Sequence, residues 1–218
     1  LKDAGHETEL LNLNENLPPV PSEDEAWELV QSWEPGLIGF SCLTQQYGSA
    51  LELAKQLRER AAREGVTLPP LVVGGIHPTM VPEEVMRDGI WDHVGVGEGE
   101  DSLLELVRRT EAGEAAEDVP NFLSWPAGER VVEPSDSAWT RNPVGPFPSF
   151  PTQPLPDYAL FDTQRITDLK DGWFSVMTSR GCPYRCTYCL NHRIVDTYKA
   201  DLKRKVADLD FFRFRDPE

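Results

Sequence analysis

The sequence predicts an α/β protein built on a doubly wound parallel sheet. Two observations carry this. Short apolar runs at Leu37 to Cys42, Leu71 to Val73 and His93 to Val96 have the length and two-sided apolar character of buried parallel strands. Between them lie stretches with apolar residues at helical spacing, so strand and helix alternate along the chain. That alternation means βαβ units with right-handed crossovers.

The elements follow in order. Leu1 to Asn16 reads as the tail of a helix, a turn at Gly5 and a strand from Thr8 to Leu13. Ser22-x-x-Glu25 is a capping box that opens a helix through Trp33. After the first buried strand, Leu51, Leu53, Ala54, Leu57 and Ala61 mark a helix from Ser49 to Arg63, closed by Gly65. Pro69-Pro70 leads into the second strand, Gly74-Gly75 ends it, and a loop Ile76-His77-Pro78-Thr79 passes into a short helix from Pro82 to Asp88. The third strand runs into Gly97-Glu98-Gly99-Glu100, and Ser102-x-x-Glu105 caps the helix that follows. Phe122 to Trp125 and Arg130 to Val132, around Ala127-Gly128, form a hairpin pattern. Seven prolines between Pro134 and Pro156 predict an extended linker, with Trp139, Phe147, Phe150 and Tyr158 packing it against a surface. Beyond it come a strand from Phe174 to Thr178, a cysteine loop and a helix from Ala200 to Leu209.

Composition narrows the function. The chain has 218 residues, ordinary apolar content and a net charge of −16. Such acidity disfavours nonspecific nucleic-acid and anionic membrane surfaces, which reward Lys and Arg. Apolar runs fall short of the roughly 18 residues a membrane helix needs. No basic-then-apolar leader opens the chain, and because Leu1 is not a natural start residue we expect a fragment of a longer protein. Three of the four cysteines lie within eight positions, unlike a secreted disulfide framework, so a reducing cytoplasm suits them better.

Those three, Cys182, Cys186 and Cys189, are spaced Cys-x-x-x-Cys-x-x-Cys, and Gly181 and Pro183 keep the backbone out of helix around them. With His192 they would make a closed Cys-Cys-Cys-His zinc site. Without it, three thiolates suit an iron–sulfur cluster with one iron left open. The residues leave both readings available. Cys42 reads as a buried small hydrophobe, His77 equally as a loop histidine or a site residue, and Trp27, Trp33 and Trp91 as packing. Gly97-x-Gly99 is rejected as a dinucleotide fingerprint, because Glu98 and Glu100 would repel a pyrophosphate.

The run Cys182-Pro183-Tyr184-Arg185-Cys186-Thr187-Tyr188-Cys189, preceded by Ser179-Arg180-Gly181, resembles the signature of the radical S-adenosylmethionine superfamily. The resemblance implies that Cys182, Cys186 and Cys189 hold a [4Fe–4S] cluster, that its open iron chelates S-adenosylmethionine, and that Tyr188 lies against the adenine. Reductive cleavage there gives a 5′-deoxyadenosyl radical. The segments Gly39 to Thr44, Gly74 to Thr79 and Gly97 to Glu100 resemble the strand-end loops of the cobalamin-binding domain in cobalamin-dependent members. Ser41, Thr44, Gly74, Gly75, His77, Thr79, Gly97, Glu98 and Gly99 are thereby the expected cobalamin contacts. Ligands of open parallel sheets bind at strand carboxyl ends, where glycines admit a large ring and hydroxyls meet its amide fringe. The Asp-x-His-x-x-Gly pattern that supplies a lower histidine ligand is absent, since Asp92-His93-Val94-Gly95 lacks the spacing.

The expected organisation is therefore a Rossmann-like cobalamin-binding domain at 1–115 lacking its first strand, a hairpin and Pro-rich linker at 116–160, and the start of a radical S-adenosylmethionine (β/α) barrel at 161–218. The implied reaction is methyl transfer to an unactivated carbon of a small-molecule or peptide substrate. An electron donor such as flavodoxin or ferredoxin would serve it, and neither nucleic acid nor membrane is an expected partner. A cyclisation or rearrangement using the same cofactors is the second enzyme reading, and a non-catalytic zinc-bearing module the third. The fragment alone is expected to turn over little, because one barrel strand cannot shield a radical from solvent.

Overall fold

Apolar strand segments alternating with amphipathic helices assemble as a sheet with helices on both sides. The computed structural model of the chain describes residues 1–13, 17–126, 130, 138–205 and 208–216. In chain order its elements are α1 (Glu23–Trp33), β1 (Ile38–Ser41), α2 (Thr44–Glu64), β2 (Leu71–Gly74), α3 (Ile76–Met80), α4 (Pro82–Arg87), β3 (His93–Gly95), α5 (Glu100–Ala112), β4 (Phe122–Ser124), β5 (Thr140–Arg141), α6 (Thr163–Leu169), β6 (Ser179–Arg180), α7 (Asn191–Leu202) and β7 (Arg213–Phe214). The chain divides into two compact units, neither continuous in sequence: one of 1–34, 149–180 and 212–218, the other of 35–148 and 181–211. No helix among the described residues is long and apolar enough to cross a membrane.

The larger unit holds the sheet, ordered β1-β2-β3-β4-β5. β1, β2 and β3 are parallel, with Ile38 opposite Leu71 and Val72 opposite His93. β4 and β5 extend the sheet antiparallel, with Val94 opposite Leu123 and Ser124 opposite Thr140. Side-chain alternation sorts the strands onto two cores. Leu71, Val73, Val94 and Leu123 join Ala50 and Ala54 of α2, Met86 of α4 and Trp91, while Val72 and Phe122 join Leu106 of α5 and Val119. Leu71, Val73, Val94 and Leu123 are fully buried, as the continuous apolar runs require.

Local signals set several boundaries. Gly65 and Gly113 end α2 and α5 in the left-handed conformation, at φ 68° and 67°. α2 begins at Thr44, earlier than its apolar spacing suggested, because the Gln46 side chain accepts from the Leu43 amide at 3.0 Å and closes the first turn. α5 also begins early, at Glu100, with Gly99 as its N-cap. Ser102 is therefore not the cap; its hydroxyl lies inside the helix and donates to Asn121 Oδ1 at 2.9 Å. Ile76 to Thr79, expected as loop, forms the short helix α3.

Three further expectations meet the structure. β4 pairs with Thr140–Arg141, and of the expected hairpin partner residues 131–132 and the 127–129 turn lie outside the described residues. The helix after the cysteines spans Asn191–Leu202, not Ala200 to Leu209. Ile194, Val195, Tyr198 and Leu202 give it an apolar stripe, and Lys203 at φ 52° ends it.

The smaller unit carries the third. Thr8 to Leu13 is not a strand, and neither is Phe174 to Thr178. Trp173, Phe174, Val176 and Met177 are exposed, and the ladder forms only at β6, antiparallel to β7. An apolar run becomes a strand only where a neighbour offers backbone partners, and here that neighbour is two residues long. Elsewhere in this unit the capping box on α1 is complete: Ser22 Oγ accepts from the Glu25 amide at 3.3 Å, and Glu25 Oε2 accepts from the Ser22 amide at 2.8 Å. Phe150 lies between the guanidinium groups of Arg180 and Arg215, at 5.0 and 4.8 Å from its centroid.

Candidate functional site

Parallel register brings the carboxyl ends of β1, β2 and β3 to one edge. Ser41 lies opposite Gly74, and Val73 opposite Val94. The loops after these strands therefore open side by side, where ligands of such sheets bind. Ser41 and Thr44 are exposed there and Gly74 is half-buried, with no atom within 4 Å of the position a Cβ would take. Gly99 is likewise open.

The other two glycines spend their missing side chain on the protein itself. At Gly75 (φ +99°) a Cβ would stand 2.7 Å from the Cys42 carbonyl oxygen, so bareness here lets the first two loops touch. At Gly97 (φ +80°) it would meet the ring and hydroxyl of Tyr198. Thr79 knits the second loop to the third: its hydroxyl donates to the Gly75 carbonyl at 2.7 Å and accepts from the Gly97 amide at 3.0 Å. Thr79 is buried and acts as a loop fastener. Glu98 donates its backbone N–H to the Tyr198 hydroxyl at 3.0 Å.

His77 sits on α3 with Nδ1 3.4 Å from Thr44 Oγ1 and its ring 4.2 Å from that of Tyr47. The Tyr47 hydroxyl donates to Asp88 Oδ2 and accepts from Trp91 Nε1 at 3.1 Å. Burial, then the Asp88 carboxylate, push the Tyr47 phenol far above its usual range, so it stays protonated. Burial also pushes the Cys42 thiol up to about 11, leaving a neutral packing group as its place at a strand end suggested. Trp27 and Trp91 are buried and Trp33 lies at the rim, as packing residues should.

The cysteine loop belongs to the same unit as the sheet. Cys186 is exposed, Cys182 and Cys189 are half-buried, and the Cys189 amide donates to the Cys186 carbonyl at 3.0 Å. Tyr188 is 91% exposed, so its ring is free to take a planar partner. Among the described residues, no group of three His, Cys, Asp or Glu side chains converges closely enough to hold a metal ion. The donor set still fits a thiolate-ligated group: all three thiols are free on one solvent-facing loop. His192 Nδ1 is buried without a hydrogen-bond partner.

Sequence reasoning missed Tyr198, Tyr47 and Asn121. Asn121, in the left-handed conformation at φ 67°, donates to the Val96 carbonyl at 2.8 Å and accepts from the Gly145 amide at 2.9 Å, bracing the third loop from below. The available signal for Tyr198 was the helical spacing of Ile194, Val195, Tyr198 and Leu202. Nothing local marked Asn121.

Comparison with known proteins agrees with this geometry. Residues 1–107 match the model of the B12 binding domain family. The chain is 25% identical over 194 residues to the anaerobic magnesium-protoporphyrin IX monomethyl ester cyclase of Rubrivivax gelatinosus, covering 86% of this chain and 32% of that protein. It is 27% identical over 195 residues to the hopanoid C-3 methylase of Methylococcus capsulatus, covering 87% and 33%. An uncharacterized methyltransferase of Pyrococcus horikoshii is 28% identical over 165 residues, covering 74% and 33%. The chain thus spans about a third of the length of these relatives. Among solved structures, the cobalamin-dependent S-adenosylmethionine radical enzyme OxsB, with aqua-cobalamin and S-adenosylmethionine bound, superposes with a TM-score of 0.59 at 19% identity, covering 84% of this chain and 26% of that one. The radical S-adenosylmethionine methyltransferase TsrM from Kitasatospora setae, with cobalamin and a [4Fe–4S] cluster bound, gives 0.56 at 22%, covering 99% and 39%. At these identities the superpositions establish the fold, a Rossmann-like α/β arrangement.

Proposed function

We propose, from the match of residues 1–107 to the B12 binding domain model, that this chain is the cobalamin-binding and cluster-bearing part of a radical S-adenosylmethionine enzyme that transfers a methyl group to an unactivated carbon. The observation that carries the reading is the Cys182, Cys186 and Cys189 spacing downstream of a B12-binding domain, within one chain. When bound, the [4Fe–4S] cluster, S-adenosylmethionine and cobalamin supply radical generation and the methyl carrier.

The chain's own residues do the holding. Cys182, Cys186 and Cys189 donate thiolates to the cluster and leave one iron without a protein ligand. Tyr188 offers its exposed ring to the adenine. Ser41 and Thr44 present hydroxyls to the corrin amides, and Gly74 leaves room for them. His77 lines the same edge beside Thr44. The substrate is a small molecule or peptide, the electron donor a flavodoxin or ferredoxin, and the compartment a reducing cytoplasm that keeps the free thiols available. The domain boundaries at 115 and 160 belong to this proposal.

A second reading, oxidative cyclisation with the same cofactors, draws support from the likeness to the Rubrivivax cyclase. Anaerobic reconstitution of the full-length protein separates the two. Methylated product supports methyl transfer, whereas 5′-deoxyadenosine without methyl transfer favours cyclisation. One zinc per chain with no labile sulfide would instead refute both and leave a Cys-Cys-Cys-His zinc module.

A further inference from the structure

We propose that Tyr198 is a positioning residue that seats the helix following the cysteines on the third strand-end loop, leaving the first two loops to bind the corrin. This inference rests on the cobalamin reading above for the role of the first two loops only.

The third loop offers a ligand little that is not already taken. The Gly97 amide donates to Thr79 and the Glu98 amide to Tyr198, each at 3.0 Å. The space a side chain at 97 would fill holds the Tyr198 ring, with Cε2 2.8 Å from the Cβ position. Tyr198 is 1% exposed and stacks flat on Phe147, with centroids 3.7 Å apart at 12°. Phe147 in turn meets Phe211 at 5.4 Å. One turn further along α7, Asp201 accepts from the Val144 amide at 3.0 Å and pairs with Arg141 at 3.4 Å. The helix is therefore fixed by a buried hydroxyl, a ring stack and a carboxylate.

The first two loops behave differently. Ser41 and Thr44 are exposed and Gly74 faces open space. The chemistry available to an amide-fringed ring lies there. The seat matters because α7 begins at Asn191, two positions after Cys189. Whatever holds α7 holds the end of the cysteine loop, so the B12-binding domain sets where that loop stands.

Hydrogen–deuterium exchange on the anaerobically reconstituted full-length protein tests this, paired with titration of hydroxocobalamin. Tyr198→Phe keeps the stack but leaves the Glu98 amide without its acceptor, and should speed exchange across residues 191–202 roughly tenfold while β1, β2 and β3 stay protected. Gly97→Ala, which expels the ring, should produce the same local change, and the double variant should show no more than either alone. Hydroxocobalamin affinity of Tyr198→Phe should remain within about twofold of the parent, whereas Ser41→Ala combined with Thr44→Ala should lower it roughly tenfold without altering exchange in α7. Unchanged exchange in Tyr198→Phe, or additive effects in the double variant, would overturn the seat. A tenfold loss of hydroxocobalamin affinity in Tyr198→Phe would overturn the division between loops. If the parent binds no hydroxocobalamin, the cobalamin reading fails by itself and the seat is decided by exchange alone.

Discussion

Gly75 brings the second strand-end loop into contact with the backbone of Cys42: a Cβ on Gly75 would stand 2.7 Å from the Cys42 carbonyl oxygen and 2.9 Å from its amide nitrogen. Neither backbone atom can yield cheaply, because the Cys42 amide is bonded to the Gly74 carbonyl and its carbonyl accepts from His77. Gly75→Ala combines this overlap with a φ of +99°, and should cost about 2–4 kcal/mol in urea unfolding. Gly74→Ala next door meets no atom within 4 Å, so its stability should change by about 0.5 kcal/mol or less, while its hydroxocobalamin affinity falls.

Arg58 of α2 is bonded to two places at the start of β3. Its Nε donates to the Ile90 carbonyl and a terminal nitrogen to Asp92 Oδ2, both at 2.7 Å. The same carboxylate oxygen accepts from the Leu71 amide at 2.7 Å. Removing it strands a half-buried guanidinium and an amide of β2 together, so Asp92→Ala should lose roughly 2–4 kcal/mol by chemical denaturation. Replacing the exposed pairing of Arg60 with Glu64 should change stability by under about 0.5 kcal/mol.

His93 gives the larger unit a pH dependence. Its imidazole is buried, shares a 2.8 Å hydrogen bond with Ser124, and has its pKa lowered by burial, opposed in part by Asp92 and Glu117. The unfolded chain then takes up a proton as pH falls through about 6.5 while the folded chain does not. Stability should therefore be full above that pH and decline below it, toward the lower native pKa. Urea unfolding of parent and His93→Gln at pH 7.5, 6.5 and 5.5 checks the sign: the parent's advantage should shrink with acidification, and an advantage that grows would contradict it.

Each of Cys182→Ala, Cys186→Ala and Cys189→Ala should abolish retention of iron and labile sulfide after anaerobic reconstitution. The sheet should be untouched, because these side chains are not among its core residues. Unaltered far-ultraviolet circular dichroism beside a lost cluster absorption band is the expected pair of readouts. A variant that retains a full cluster would remove that cysteine from the ligand set.

Much of the fold was legible because its signals are short-ranged. Ser22 and Glu25 close one turn, Gly65 and Gly113 end their helices, and the run at β2 is too apolar to face water, whereas β1, expected to be buried, leaves Gly39 and Ser41 exposed at the sheet edge. Where reading failed, the cause was a partner elsewhere. Gln46 started α2 early, the Asn121 side-chain oxygen drew the Ser102 hydroxyl into a helix interior, and Phe174 to Thr178 met no strand along its length. The candidate site divided in the same way. Cys182, Cys186 and Cys189 and the three glycine-bearing loops stand out by spacing and composition, whereas the uses of the glycines do not. Gly74 and Gly75 are adjacent and identical, yet one faces open space and the other a carbonyl oxygen.

The sequence by itself determined the strand–helix alternation, the Ser22 capping box, the glycine ends of α2 and α5 and the close spacing of the three cysteines, since each is encoded within a few residues by periodicity, side-chain capping or local order. Only the tertiary structure decided that Thr79 fastens the second loop to the third, that Gly97 makes room for Tyr198, and that α7 is seated there. Those outcomes depend on hydroxyls reaching amides 18 residues away in sequence for Thr79 and 100 for Tyr198. The strength of such a bond is chemistry any tyrosine offers; whether it forms is set by the packing that buries both groups together.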